Sequence, residues 1–219
     1  MIKEFEKRVF SSLILIPFSF FLIIKGSILF NFFLIFCLLT ALYEWYKLSK
    51  NKSYNLIGYF FLIFSFYSAY YFRNNFGDES LIHFLIIVII CISTDIGGYI
   101  FGNFFNGPKL TKISPKKTYS GVLGSYIFTL LFIYIFYYFS YLFPIELEKP
   151  SLKILFLYLL ISTISQIGDI IVSLFKRLAK VKDTGNIIPG HGGILDRLDG
   201  MIFAFPFSYI ILLNDLIYL

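Results

Sequence analysis

The chain contains one long apolar run after another, and these runs limit its fold more than any other feature. Seven runs can be traced: 9–24, 27–43, 56–72, 81–101, 121–143, 152–174 and 201–218. A helix needs about 20 mostly apolar residues to cross the hydrocarbon of a bilayer, where it satisfies its own backbone hydrogen bonds. With 58% hydrophobic residues, a water-soluble core could not hide this much apolar surface. The sequence therefore predicts an all-α, polytopic transmembrane helical bundle of about seven spans.

The stretches between the runs give no sign of a separate soluble unit. There is no internal repeat and no low-complexity linker, so we expect residues 1–219 to form a single integral membrane domain. Residues 1–80 would supply the N-terminal spans, and residues 81–219 the spans and loops that carry the chemistry. Cys37 and Cys91 each lie inside an apolar run without a C-x-x-C partner, so we interpret both as small buried side chains.

Lysine and arginine are distributed unevenly over the predicted loops. With the N-terminus in the cytoplasm, 15 of the 19 fall on the cytoplasmic side, the exceptions being Lys25, Arg73, Lys149 and Lys153. An excess of this kind orients membrane proteins, so we predict a cytoplasmic N-terminus. The loops also account for the net charge of +6, and we expect no nucleic acid as a partner.

The first region rich in polar residues begins in the fourth run, which contains an aspartate. On a helix Asp95, Gly98 and Gly102 share one face with Tyr99. An ionised carboxylate near mid-bilayer costs about 2.5–3.5 kcal/mol, so Asp95 is a candidate for a wet cavity or a cation site. The alternative is a carboxylate at the interface that only meets water. The two glycines permit close approach of a neighbouring helix.

The loop after this run carries Ser-Pro-Lys-Lys-Thr at residues 114–118. Two ammonium groups and two hydroxyls beside a proline turn suit a phosphate group. The candidates are Ser114, Lys116, Lys117 and Thr118. A pair of lysines in a cytoplasmic loop is also what membrane orientation alone would select.

The second polar region begins in the sixth run and extends to residue 200. Four polar residues follow one another at helical spacing on one face: Gln166, Asp169, Ser173 and Lys176. Residues 189–193, Pro-Gly-His-Gly-Gly, have backbone N–H groups that can bind an anion. Asp196 and Asp199 share a face at the start of the last helix, so carboxylates from two helices can converge.

Oxygen ligands dominate both regions. Such ligands suit Mg²⁺, which is usually held by one or two carboxylates together with substrate phosphates, and they disfavour zinc. His191 is the one histidine nearby. It contacts a phosphate or transfers a proton in one interpretation, and it is a structural loop residue in the other.

The stretch from Ser173 to Asp199, S-L-F-K-R-L-A-K-V-K-D-T-G-N-I-I-P-G-H-G-G-I-L-D-R-L-D, resembles the signature of the phosphatidate cytidylyltransferases, or CDP-diacylglycerol synthases. The first region resembles a second, less strict motif of that family, Asp-x-x-x-Tyr followed by Ser-Pro-Lys-Lys-Thr. Together the motifs cover most of residues 91–200. Two positions depart from the pattern, since Ser120 stands where an acidic residue is common and Gly97-Gly98 where Thr or Ala is more usual.

The resemblance implies condensation of CTP with phosphatidic acid to give CDP-diacylglycerol and pyrophosphate, a step of phospholipid biosynthesis. It implies a multi-pass protein of a bacterial-type cytoplasmic (inner) membrane, surrounded by membrane lipid, with its active site facing the cytoplasm. Mg²⁺ would be the cofactor, while a second cation and a homodimer stay open.

The resemblance also implies roles for individual residues. The metal ligands would be Asp169, Asp196 and Asp199. The catalytic residues would be Asp169, Asp196, Lys176, Arg177, Arg197 and His191. The substrate-binding residues would be Asp95, Ser114, Lys116, Lys117, Thr118, Ser173, Lys182, Asp183, Gly192 and Gly193. Among these, the lysines and arginines suit the phosphates of CTP or lipid.

Three alternatives remain at this point: a relative that acts on another lipid, a CTP-dependent lipid kinase, and a transporter. The kinase would release CDP rather than pyrophosphate, and the transporter would line an ion path with Asp95 and Asp169. Clustering of the polar residues at one membrane face disfavours transport. The Asp-Gly-x-x-Ala-Arg pattern of CDP-alcohol phosphotransferases is absent from the sequence.

Overall fold

The fold was analysed in a computed structural model that describes residues 2–140, 150–188, 190 and 192–213. The helices are α1 (Ile2–Lys25), α2 (Ser27–Ser49), α3 (Asn55–Asn74), α4 (Ser80–Phe105), α5 (Tyr119–Tyr138), α6 (Leu152–Leu178), α7 (Leu195–Leu198) and α8 (Met201–Leu213). A 3₁₀ turn at Gly77–Glu79 precedes α4. In the described residues, extended pairing is limited to two isolated bridges, Lys109 with Thr118 and Ile188 with Gly192. The predicted all-α class is confirmed.

Five helices, α2 to α6, are long and apolar enough to cross a membrane. The apolar part of α1, Leu13–Lys25, and α8 as described, Met201–Leu213, are shorter. The chain is therefore a multi-pass membrane protein. The count of seven spans and the cytoplasmic N-terminus stay predictions, and residues 214–218 of the last predicted run lie outside the described residues.

Aromatic side chains join the central helices around α4. The ring of Phe84 lies 5.4 Å from that of Phe30 in α2 and 5.0 Å from that of Phe205 in α8. Edge-to-face and tilted pairs of this kind add to the packing of an apolar core. Cys37 and Cys91 are both buried and free, which confirms their interpretation as small core side chains.

Glycines bring α4 and α5 unusually close together. A Cβ on Gly97 would lie 2.3 Å from the carbonyl oxygen of Gly124, and one on Gly121 would lie 2.9 Å from that of Gly98. A Cβ on Gly102 would lie 3.2 Å from the Thr118 hydroxyl. The close approach predicted for Gly98 and Gly102 is therefore confirmed.

Replacing Gly124 should loosen this contact. We expect Gly124→Val to destabilise the protein by about 2–3 kcal/mol, because overpacked contacts cost this much. The added Cβ alone would lie 2.4 Å from the Phe101 Cβ. The measurement is thermal unfolding in detergent, with a melting temperature several degrees lower than that of the wild type. Leu123→Ala, at an exposed neighbouring position, is the control and should unfold like the wild type.

A cluster of buried hydroxyls connects α4, α5 and α6. One of its members on α4, Thr94, directly precedes Asp95 in the sequence. Thr94 lies with its hydroxyl 2.7 Å from that of Ser162 and 3.2 Å from that of Thr129. The Ser125 hydroxyl donates to the Thr94 carbonyl at 2.7 Å. Hydroxyls can satisfy one another between membrane helices where water is absent. The cluster fixes the three helices that surround the carboxylates described next.

Candidate active site

An ion pair joins the two polar regions that the sequence singled out. Lys117, in the loop between α4 and α5, lies with Nζ 2.5 Å from Oδ2 of Asp169 on α6. The same ammonium donates to the carbonyl of Gln166 at 3.1 Å. Both side chains of the pair are about one quarter exposed, so the pair is only partly screened by solvent. The loop is thereby fixed against the polar face of α6.

Two further carboxyls lie at this ion pair. Asp199, in the turn between α7 and α8, is hydrogen-bonded to Asp169. Asp95 has an accessible side chain and lies within electrostatic range of Asp169, Lys117 and Arg197. Burial and then the charge of Asp169 raise the pKa of Asp199 well above its usual value. Asp95 of α4, Asp169 of α6 and Asp199 of the α7–α8 turn thus lie within electrostatic range of one another.

The chemistry of these donors fits a divalent cation. Two carboxyls in hydrogen-bond contact need a proton or a cation between them. The Lys117 ammonium already places one positive charge beside Asp169. Within the described ranges, no group of three His, Cys, Asp or Glu side chains forms a complete ligand set. Mg²⁺ needs only one or two carboxylates when substrate phosphates and water complete its shell. Asp169 and Asp199 would be its protein ligands.

Asp196 is held by a different set of contacts. Its Oδ1 accepts from Lys176 Nζ at 2.8 Å. Its Oδ2 accepts from the backbone N–H of Thr184 at 2.7 Å and of Gly193 at 3.0 Å. Burial alone would raise the pKa of Asp196, but these hydrogen bonds outweigh it and the pKa is lowered. Asp196 is therefore an ionised anchor that orients Lys176 and the loop before α7.

A buried glutamate that the sequence analysis passed over completes this anchor. Glu44 of α2 is 1% exposed, and its carboxylate accepts from the Thr184 hydroxyl at 2.8 Å. It also accepts from the backbone N–H groups of Ile194 and Leu195 at 2.9 and 2.8 Å. Glu44 stands between Tyr43 and Trp45, and such aromatic residues at the end of a span are typical interfacial anchors. An ionisable residue among them was the signal available.

Residues 114–118, in the loop between α4 and α5, shape that loop and also offer hydrogen-bond donors. The Lys117 N–H donates to the Ser114 carbonyl at 3.0 Å, which closes a turn over residues 114–117. Thr118 caps α5, since its hydroxyl accepts from the Gly121 N–H at 3.1 Å and lies 3.0 Å from the Ser120 hydroxyl. Lys116 is exposed. Of these predicted substrate-binding residues, only Lys117 contacts a carboxylate of the site in the described contacts.

The remaining predicted residues lie around the second loop. Ser173 is half-buried on α6, and four charged residues are exposed: Arg177, Lys182, Asp183 and Arg197. Gly192 has a φ of +86°, and its carbonyl accepts from the Ile188 N–H at 2.9 Å. Gly193 is buried beside Asp196. His191 lies outside the described residues, so its role stays a prediction.

An apolar cavity of about 210 Å³ lies beside the anchor, between α2, α3, α6 and the α7–α8 segment. Its walls include Trp45, Gly58, Val172, Leu195 and Phe203. Leu195 adjoins Asp196 in sequence, so the cavity reaches the loop that carries the charged anchor. A cavity lined by hydrocarbon and aromatic side chains suits an apolar chain.

The fold and the site together define a class of protein: a multi-pass membrane protein whose carboxylates and lysines meet at one end of its spans. The model of the cytidylyltransferase family matches residues 58–214. A relative from Rickettsia bellii, named phosphatidate cytidylyltransferase, is 33% identical over 217 residues, which cover 93% of this chain and 89% of the relative. The chain belongs to this family, and the resemblance of the Ser173–Asp199 signature is confirmed.

Two further relatives bear the same name. The protein from Bacillus subtilis is 37% identical over 140 residues, covering 64% of this chain and 50% of the relative. The protein from Staphylococcus aureus is 37% identical over 139 residues, covering 63% of this chain and 52% of the relative. The chain spans about half the length of these two relatives.

Proposed function

We propose that this protein transfers the cytidylyl group of CTP to phosphatidic acid, giving CDP-diacylglycerol and pyrophosphate. The observation that carries the proposal is the similarity to the Rickettsia bellii protein over nearly the whole chain. The paired lysines and carboxyls at the ends of membrane helices support it, because both substrates are phosphates and one is a lipid. The product would enter phospholipid biosynthesis.

The reaction exchanges one phosphoric anhydride bond for another. A phosphate oxygen of the lipid attacks the α-phosphorus of CTP, and the bond from that phosphorus to the oxygen bridging to the β-phosphate breaks. Pyrophosphate leaves with the electron pair. The nucleophile is already an anion, so the site must neutralise charge and align the reacting groups rather than remove a proton.

Two lysines are placed for this task. Lys117 and Lys176 each hold a carboxylate, at 2.5 and 2.8 Å, and each ammonium has three hydrogens to donate. We propose that Lys176 binds phosphate oxygens of CTP, and that Lys117 binds those that arrive beside Asp169. Arg177 and Arg197, both exposed near the same helix ends, would extend the positive surface.

Asp169 and Asp199 would hold the magnesium ion. When bound, Mg²⁺ supplies positive charge to the phosphate oxygens on which charge develops. Asp95 would face the same space and add to its attraction for cations. Asp196 stays in the proposal as the residue that orients Lys176, and its direct ligation of the metal stays a prediction.

The lipid substrate would reach the site from the membrane. We propose that one acyl chain lies in the apolar cavity beside Leu195. The headgroup would then lie near Asp196 and the loop that precedes α7. No polar side chain in the described walls would need to leave water for this. The glycerol and phosphate would then stay at the membrane surface.

We propose that the site faces the cytoplasm of a bacterial cell, across its cytoplasmic membrane. Lys112 and Asp78, both exposed, lie at the loops that follow and precede α4, and therefore on opposite sides. An impermeant maleimide should label Asp78→Cys in intact cells and label Lys112→Cys only after permeabilisation. The native cysteines are buried and should contribute little background. The reverse pattern would overturn the orientation.

The test of the function is product analysis with purified protein in detergent. Phosphatidic acid, CTP and Mg²⁺ together should give CDP-diacylglycerol and pyrophosphate in equal amounts, while omission of either substrate or chelation of Mg²⁺ should abolish both. Release of CDP would instead indicate a lipid kinase. Ion flux in proteoliposomes without nucleotide turnover would indicate a transporter.

A further inference from the structure

We propose that Glu44 is a positioning residue of the active site, acting from α2 through the loop before α7. The inference deepens the proposed function and rests on it. Glu44 lies outside residues 58–214, the part matched by the family model. Its carboxylate is nevertheless buried against the loop before α7, the short helix that carries Asp196.

Three donors hold the Glu44 carboxylate, two from this loop and one from the first residue of α7. Oε1 accepts from the Ile194 N–H, and Oε2 accepts from the Leu195 N–H and the Thr184 hydroxyl. Residues 184 and 194 are ten positions apart, so one side chain connects the middle of the loop to its end. A buried carboxylate with full hydrogen bonding makes stronger contacts than a neutral group would.

The loop is built around this carboxylate. A Cβ on Gly193 would lie 2.4 and 2.5 Å from the two Glu44 oxygens, and a Cβ on Gly185 would lie 2.7 Å from Oε1. Side chains at these two positions would occupy the space that Glu44 fills. The glycines of the signature are thus explained in part by a residue on another helix.

The contacts continue from Glu44 to the charged groups of the site. Thr184 donates its N–H to Asp196 Oδ2, and Gly193 donates to the same oxygen. Asp196 in turn holds Lys176 through Oδ1. Glu44 therefore contacts no reacting group in this arrangement, yet it determines where the Lys176 ammonium lies.

Neutral variants separate this role from simple packing. In Glu44→Gln the side chain keeps its shape, but the amide NH₂ must face one of the three donors, either Ile194 or the Thr184–Leu195 pair. Losing one charged hydrogen bond and opposing a buried donor should lower kcat by about tenfold to a hundredfold. Glu44→Ala should lower it further. Glu79→Gln, at an exposed site directly before the first residue of α4, is the matched control and should retain wild-type kcat.

The experiment measures kcat and KM for CTP on protein that is folded by size-exclusion chromatography and circular dichroism. A positioning role predicts a lower kcat in the folded fraction of Glu44→Gln, with partial recovery in Glu44→Asp. Thr184→Val combined with Glu44→Gln should give less than the product of the two single effects, because both act through one contact. Unchanged kcat and KM in folded Glu44→Gln would overturn the inference, as would a loss confined to the yield of folded protein.

Hydrogen exchange supplies a readout that needs no activity. The Ile194 and Leu195 amides should exchange faster in Glu44→Gln than in the wild type, and equal exchange would count against the inference. An inactive wild type would overturn the proposed function instead. An active wild type with an unaffected Glu44→Gln would overturn only the role of Glu44.

Discussion

Asp169→Asn should abolish cytidylyl transfer while leaving the protein folded. We expect kcat to fall by at least about a thousandfold, since a single electrostatic contribution to a transition state is worth several kcal/mol. Asp169 is the carboxylate where Lys117 from one loop and Asp199 from another meet. An amide at this position is neutral, so it would attract the ammonium and a divalent cation much more weakly than the carboxylate does.

The readout for Asp169→Asn is product formation at saturating CTP, phosphatidic acid and Mg²⁺. Asp78→Asn, an exposed carboxyl before the start of α4, is the matched control and should keep wild-type activity. If folded Asp169→Asn retained activity within threefold of the wild type, the pair of carboxyls formed by Asp169 and Asp199 would not be the active site.

Gly193→Ala should cause the second large loss, for a steric reason. The new methyl group would lie 2.2 Å from the Thr184 hydroxyl and within 2.5 Å of both Glu44 oxygens. These are buried polar atoms, so moving them breaks hydrogen bonds as well as packing. We expect activity to fall by about a hundredfold, which corresponds to roughly 3 kcal/mol, together with a lower melting temperature.

The control for Gly193→Ala is Asn186→Ala, an exposed position in the same loop. It should leave activity and melting temperature close to the wild type. Wild-type behaviour of Gly193→Ala would show that the loop can shift around the added methyl group, and it would remove the steric basis for the Glu44 anchor.

Helices α2 to α6 could be predicted from hydropathy because their apolar runs are close to one span in length. The sixth run, predicted at 152–174, is α6 at Leu152–Leu178, and the fourth, predicted at 81–101, is α4 at Ser80–Phe105. Both helices extend a turn beyond the apolar limit. On α6 the extra turn contains Lys176 and Arg177, so the helix continues through the polar residues that follow the apolar run.

The candidate site could be predicted only in part. Helical spacing placed Asp169 and Lys176 on one face of α6, and the two lysines and two hydroxyls of residues 114–118 pointed to Lys117. The direct contact between Lys117 and Asp169 depends on how the loop between α4 and α5 folds against α6, which neither periodicity nor spacing specifies. The bonding of Asp196 to Thr184 and Gly193 likewise arises from a turn in the loop.

Glu44 shows the same limit more sharply. It lies 140 residues before its partner Thr184, in a run whose aromatic neighbours favour an interfacial interpretation. Its role follows from the packing of α2 against α7, which sequence pattern does not specify. The hydroxyl cluster around Thr94 is a second example, because its members come from three separate apolar runs.

The transfer of the cytidylyl group itself is tested most directly by finding which phosphate of CTP reaches the lipid. Purified protein with phosphatidic acid and Mg²⁺ would be given CTP labelled with ³²P at the α-phosphate or, in parallel, at the γ-phosphate. We expect the α-label to appear in the lipid as CDP-diacylglycerol and the γ-label to appear only in pyrophosphate. Transfer of γ-label to lipid, or no lipid label from folded protein, would contradict this expectation.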